Sequence, residues 1–107
     1  MNKKGQVFFN DVLAGALEYR NQEYVFQYDP AYLGNGSLPP ISLSFPKRKG
    51  EYRSAALFPF FYGLLAEGAE KSLQCAMLKI DENDHFMRLL KTAGTSTIGA
   101  ITVREAP

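Results

Sequence analysis

The hydrophobic pattern of the chain changes period near its middle. Over the first third, apolar and polar residues alternate. The segment "QVFF" (6–9) is short and apolar, and Asn10-Asp11 are residue types that favour a turn. "LAGALEYR" (13–20) follows and ends at a second turn pair, Asn21-Gln22. "EYVFQYD" (23–29) sets Tyr24, Phe26 and Tyr28 on one face and Val25 and Gln27 on the other. A period of two is the mark of a strand, so the three segments predict an antiparallel meander. The stretch 30–40 reads as loop with one helical turn at Ala31 to Leu33. "ISLSF" (41–45) alternates Ile41, Leu43 and Phe45 with Ser42 and Ser44, which predicts a half-buried strand. Pro39, Pro40 and Pro46 bracket it and place it at a sheet edge.

Beyond residue 50 the period becomes helical. With Ser54 as N-cap, Leu57, Phe61, Leu64 and Leu65 fall at helical spacing. Pro59 fits only the first turn of that helix, and Gly68 marks a stop or bend. "EKSLQCAMLKI" (70–80) resumes with Leu73, Met77 and Ile80 on one side. Asp81 or Asn83 caps a third helix, "DHFMRLLKTA", which Gly94 closes as C-cap. A last strand follows, with Ile98, Ala100 and Thr102 on one face and Ile101 and Val103 near the other. The expected fold is α+β. A twisted antiparallel sheet or small open barrel, with strands near 5–9, 13–20, 23–29, 41–45 and 97–104, carries two or three helices on one face.

Composition narrows the function. A chain of 107 residues, 46% hydrophobic, predicts one domain over 1–107. Twelve Lys and Arg against eleven Asp and Glu give a net charge of +1, with no basic stripe for nucleic acid. The single basic cluster, Lys47-Arg48-Lys49, lies between Pro46 and Gly50 and reads as a solvated loop tip. Direct DNA binding is therefore not expected. The lone Cys75 allows no internal disulfide and reads as a small buried apolar residue. His85 has no second His or Cys to share a metal, and zinc needs three or four ligands. The apolar run 7–9 is broken by Asn10-Asp11 before it reaches the roughly 7–15 residues of a signal peptide core. Nothing approaches the roughly 20 apolar residues of a membrane span, and the chain reads as cytoplasmic.

Catalytic patterns fail on their chemistry. "GTSTIGAI" has the glycine spacing of a phosphate loop, but Ala100-Ile101 stand where Lys and Ser or Thr are needed. "DEND" (81–84) lacks the glycine and closing Glu of a calcium loop. No enzyme, cofactor or metal is expected. What remains is "FPFFYGLLAEGAEK" (58–71). It packs four of the chain's fourteen aromatics, Phe58, Phe60, Phe61 and Tyr62, into five positions. They point in nearly all directions of a helix. Either all four serve the core, or one or two among Phe58, Phe60 and Tyr62 form an exposed docking patch. The "AEGAEK" that follows is too small and polar for core and reads as a presented bend.

These segments also resemble a known arrangement. "FQYDPAYLGNGSLPPISLSFP", "FFYGLLAEG" and "LLKTAGTSTIGAITV" follow in one register the order seen in the N-terminal subdomain of HipA-type serine/threonine kinases. Those kinases continue with nucleotide-binding and catalytic elements that have no counterpart here. The chain thus resembles HipS, the small antitoxin subunits of three-component HipBST toxin–antitoxin systems. The resemblance implies two partners, a HipT-like kinase toxin and a HipB-like helix-turn-helix DNA-binding protein. If the chain neutralises a kinase, the contact is expected at the presented bend, through Leu65, Glu67, Gly68, Ala69, Glu70 and Lys71. The alternative is a structural subunit that completes a split kinase without inhibiting it. Three positions depart from the family pattern. Ala66 replaces the Pro of "LLPE", Ser96 stands where many relatives carry Asp, and Ala69 stands where the stand-alone subunits tend to carry a bulky residue. With Ala69 at the tip, acids and backbone are expected to make the contact instead of an aromatic plug.

Overall fold

The computed structural model describes residues 3–94 and 100–106. Within them, five strands form one antiparallel sheet. They are β1 (Lys3–Phe9), β2 (Val12–Arg20), β3 (Glu23–Tyr28), β4 (Tyr52–Ser54) and β5 (Ile101–Glu105), in the spatial order β4-β3-β2-β1-β5. Four helices accompany them: α1 (Pro30–Gly34), α2 (Pro59–Tyr62), α3 (Gly68–Leu78) and α4 (His85–Thr92). The fold is α+β, and the sheet stays open, with β4 and β5 at its edges.

The meander forms as its turn residues require. Asn10 and Asp11 have φ of 46° and 65°, and Asn21 and Gln22 have φ of 50° and 63°. Two consecutive positive φ values give the hairpin turn whose twist matches the strands it joins. Between β1 and β2 the register shifts. Val7 faces Gly15 and Phe8 faces Leu13, so Ala14 bulges as the extra residue. Its carbonyl accepts the Asp29 N–H at 2.8 Å. Asp29 in turn caps α1 by accepting the Ala31 N–H, with Pro30 just inside the helix. Next to the bulge only glycine fits: a Cβ on Gly15 would lie 2.4 Å from the Gln27 carbonyl oxygen.

The core lies between one sheet face and the helices, around Val7, Leu17, Phe26, Phe61, Leu89 and Val103. α4 contributes Phe86, Leu89 and Leu90, and its end is tied to β5 by the Val103 N–H donating to the Ala93 carbonyl at 2.8 Å. At the β4 edge, Glu51 pairs with both Arg53 and Arg20. Hydrogen bonds from Arg53 and then Arg20 hold the Glu51 carboxyl below its ordinary pKa.

Several expected elements are displaced. No strand forms over 41–45: Ile41 and Phe45 are buried, while Leu43, which the alternation put beside them, is fully exposed. The segment is a turn in which Phe45 N–H donates to the Ser42 carbonyl at 3.0 Å. The Tyr28 hydroxyl supplies the partners a sheet would have given. It accepts the Ile41 N–H at 3.1 Å and donates to the Phe45 carbonyl. The fourth strand is Tyr52–Ser54, pairing with Tyr24–Phe26 of β3. Ser54 therefore ends a strand instead of capping a helix, and its Oγ accepts the Ala56 N–H. The helix waits for Pro59 because proline is tolerated only at its first turn.

Further along, Leu73 and Met77 of α3 face solvent, and Cys75 is the residue that turns inward. Burial of Leu65 before α3 and the bond from the Ile80 N–H to the Cys75 carbonyl after it fix that rotation. The N-cap of α4 is Asp84, not Asp81 or Asn83: its carboxylate accepts the Met87 N–H at 3.1 Å, while Asp81 closes a small turn at Asn83. Its C-cap is Ala93, one residue before Gly94, since the Ala93 N–H already bonds the Leu89 carbonyl. Part of the expected last strand, with Ile98, lies outside the described residues, as does Ser96.

Candidate functional site

The candidate surface begins with the aromatic block. Phe58 is extended, and Pro59 opens α2, which is one turn long: Tyr62 N–H donates to the Phe58 carbonyl at 3.0 Å and Gly63 N–H to the Pro59 carbonyl at 2.9 Å. A single turn splays its side chains in different directions, and the loop after Tyr28 then encloses them from a second side. Phe45, held by Tyr28, packs its ring 5.1 Å from Phe58, 6.1 Å from Phe60 and 5.6 Å from Phe61. Phe61 has no exposed surface, and its ring also lies 5.7 Å from Phe26 of the sheet. Phe58 is buried as well, which corrects its placement in an exposed patch; Phe60 is half-buried. Of the block only Tyr62 is exposed, at 44%, its ring standing edge-on to His85 at 5.1 Å.

The bend follows directly. Leu64 and Leu65 N–H donate to the Phe61 and Tyr62 carbonyls, and Leu65 is buried, so it anchors the bend instead of facing outward. Ala66 is held from the other side, where Arg88 Nη2 donates to its carbonyl at 2.7 Å. Glu67 is extended and begins α3 without a side-chain cap bond, and Gly68 has a φ of +62°. A Cβ on Gly68 would meet nothing within 4 Å, so the backbone there lies open to a close approach. Glu67, Gly68, Ala69 and Glu70 are exposed, and Lys71 is half-buried. The predicted contact residues thus share one surface, apart from Leu65 beneath it.

Two features escaped the sequence reading. Arg88 is buried, at 3% exposure. Its position between Phe86 and Leu89-Leu90 was the available signal. The basic cluster is also engaged with the loop. Lys47 Nζ donates to the Asn35 and Leu38 carbonyls at 2.8 and 2.9 Å, and the Arg48 guanidinium lies 4.1 Å from the centre of the Tyr52 ring. Among the described residues, no group of three His, Cys, Asp or Glu is placed to hold a metal, and no helix is long and apolar enough to cross a membrane.

The model of the HipA N-terminal domain family matches residues 5–104. The chain belongs to that family. A Haemophilus influenzae protein described only as uncharacterized is 35% identical over 103 residues, which span 96% of this chain and 92% of that protein. The solved structure of the "N-terminal domain of HipA toxin" matches with a TM-score of 0.73 at 32% identity, covering 98% of this chain and 93% of that one. The resemblance carried by the three motifs therefore holds at the level of the family. The likeness is to the N-terminal domain of HipA, not to its kinase catalytic domain.

Proposed function

We propose that the chain is an antitoxin subunit that binds and neutralises a HipT-like serine/threonine kinase in a three-component toxin–antitoxin system. The reading is carried by one observation: a HipA N-terminal domain presents two exposed acids, Glu67 and Glu70, on a bend pinned from both sides. A bend already held in place loses little freedom on docking. Its acids suit the Lys- and Arg-lined nucleotide and phosphate pocket of a kinase, where charge complementarity sets encounter and register. The H. influenzae relative, of nearly the same length, supports a stand-alone role for such a domain.

On this reading the domain is no enzyme, acts in the cytoplasm, and reaches DNA only through a HipB-like helix-turn-helix partner. A net charge of +1, with Lys47 and Arg48 turned to the loop, supports the last point. The test is co-expression with the kinase encoded beside it, scored by growth and by copurification. Growth restored by a stable complex is the expected result. A kinase that stays toxic in its presence refutes the reading. A kinase that becomes active only with the chain bound also refutes it, and identifies a structural subunit of a split kinase.

A further inference from the structure

Among the described residues Arg88 is the only charged side chain that is buried. Burying a cation is costly unless it is paired and hydrogen-bonded, and arginine is seldom buried without a partner. Four of the described carboxylates pair elsewhere, Glu51 and Glu23 with Arg20 and Arg53, Glu105 with Lys91 and Asp11 with Arg104, and the others form no ion pair with Arg88. None lies within 4.0 Å of Arg88. Its Nη2 donates to the Ala66 carbonyl at 2.7 Å, and its Nη1 lies 3.4 Å from His85 Nδ1. A guanidinium has five N–H donors, so these two contacts leave most of its capacity, and all of its charge, without an anion.

The same side chain lines a cavity of about 180 Å³ together with Tyr62, Ala66, Glu67, Gly68 and Lys71. The rim is the N-terminus of α3, an eleven-residue helix whose first turn has no side-chain cap from Glu67. Its free N–H groups and the positive end of the helix dipole add to Arg88 and Lys71. One acid, Glu67, stands against them in the wall. The volume is below the roughly 300–1,000 Å³ typical of sites for drug-sized ligands, which fits one anionic group and not a nucleotide.

We propose that this cavity is an oxyanion site for a single carboxylate or phosphate group, with Arg88 as its principal ligand and Lys71 and the first turn of α3 completing it. Arginine is suited to the task because its planar fork meets two oxygens of such a group at once. The cavity adjoins the docking bend, so a partner's acidic group seated there gains a fixed register beside Glu67 and Glu70. The site nevertheless rests on Arg88 and its cavity, independently of the antitoxin reading.

The experiment is an NMR titration of the isotope-labelled chain alone, with sodium phosphate in one arm and sodium acetate in the other, at an ionic strength held constant with chloride. Saturable shifts of the 67–71 amides and the Arg88 Nε–H are expected, and the arm that saturates at lower concentration identifies the preferred oxyanion. Lys71→Gln should weaken binding by about tenfold, the loss of about one charge-assisted contact, and Arg88→Gln should abolish it. If Arg88→Gln does not fold, the half-exposed Lys71 variant decides alone. Non-saturating shifts spread over the chain, or equal binding by Lys71→Gln, overturn the site. No kinase is present in either arm, so failure here leaves the docking reading intact.

Discussion

Replacing Tyr28 with Phe removes one oxygen atom from the centre of the loop between α1 and β4. That hydroxyl accepts the Ile41 N–H at 3.1 Å and donates to the Phe45 carbonyl, both inside the core. Phe fills the same space, so no cavity opens, and the cost is that of two backbone groups left buried without partners. Each such group costs about 1–3 kcal/mol, so Tyr28→Phe should lower stability by at least about 2 kcal/mol. For a domain of this size that corresponds to a fall in Tm of about 8–16 °C. Thermal and urea melts followed by circular dichroism measure the loss, and hydrogen exchange at the Ile41 amide should accelerate with it. Because Phe45 packs against Phe58, Phe60 and Phe61, the same change should loosen the block that carries the bend. A Tyr28→Phe protein as stable as wild type, with an unchanged Ile41 amide, would show that the loop does not hang from this hydroxyl.

Reversing both acids of the bend, Glu67→Lys with Glu70→Lys, should abolish growth rescue while moving stability by only about 0.5 kcal/mol, as exposed substitutions do. Rescue equal to wild type would shift the contact away from the bend, to Tyr62 and its surroundings. Gly15→Ala should destabilise by several kcal/mol or prevent folding, since its Cβ would sit 2.4 Å from the Gln27 carbonyl oxygen. Soluble expression and a melt near wild type would refute that geometry. Burial raises the hydroxyl pKa values of Tyr24, Tyr28 and Tyr32. With folded values above unfolded ones, their contribution should be intact below about pH 10 and lost as pH rises through the folded pKa values. A Tm that stays flat from about pH 9 to about pH 11, against the ordinary tyrosine pKa near 10, would contradict this.

The meander was legible because its information is local. A period of two and two Asn-led turns fix β1, β2 and β3 without reference to anything distant. The segment 41–45 misled because Ile41 and Phe45 satisfy a strand and a turn equally well. Only Leu43 separates them, and its exposure depends on the Tyr28 hydroxyl, 13 residues away from Ile41. In α3 the more apolar stripe, Leu73 with Met77, faces solvent, because tethers at both ends of the helix set its rotation. The burial of Arg88 was not legible because its partner, the Ala66 carbonyl, lies 22 residues earlier. The exposed acids at Glu67 and Glu70 were legible from composition alone; how the bend is held was not.

That distant support is what makes the bend suited to binding. Fixing the backbone of one residue costs about 1–2 kcal/mol, so ordering the five residues 66–70 at the moment of docking would cost about 5–10 kcal/mol. Here most of that ordering has already happened on folding. Phe61 and Leu65 fix one end in the core, and Arg88 holds the Ala66 carbonyl. At the far end the backbone passes into α3 at Gly68. The support reaches back through Phe45 to the Tyr28 hydroxyl, so residues of the sheet determine how much freedom the bend retains. A substitution that cuts this chain of contacts without touching Glu67 or Glu70 should therefore weaken docking through preorganisation alone, leaving the charge of the contact surface unchanged.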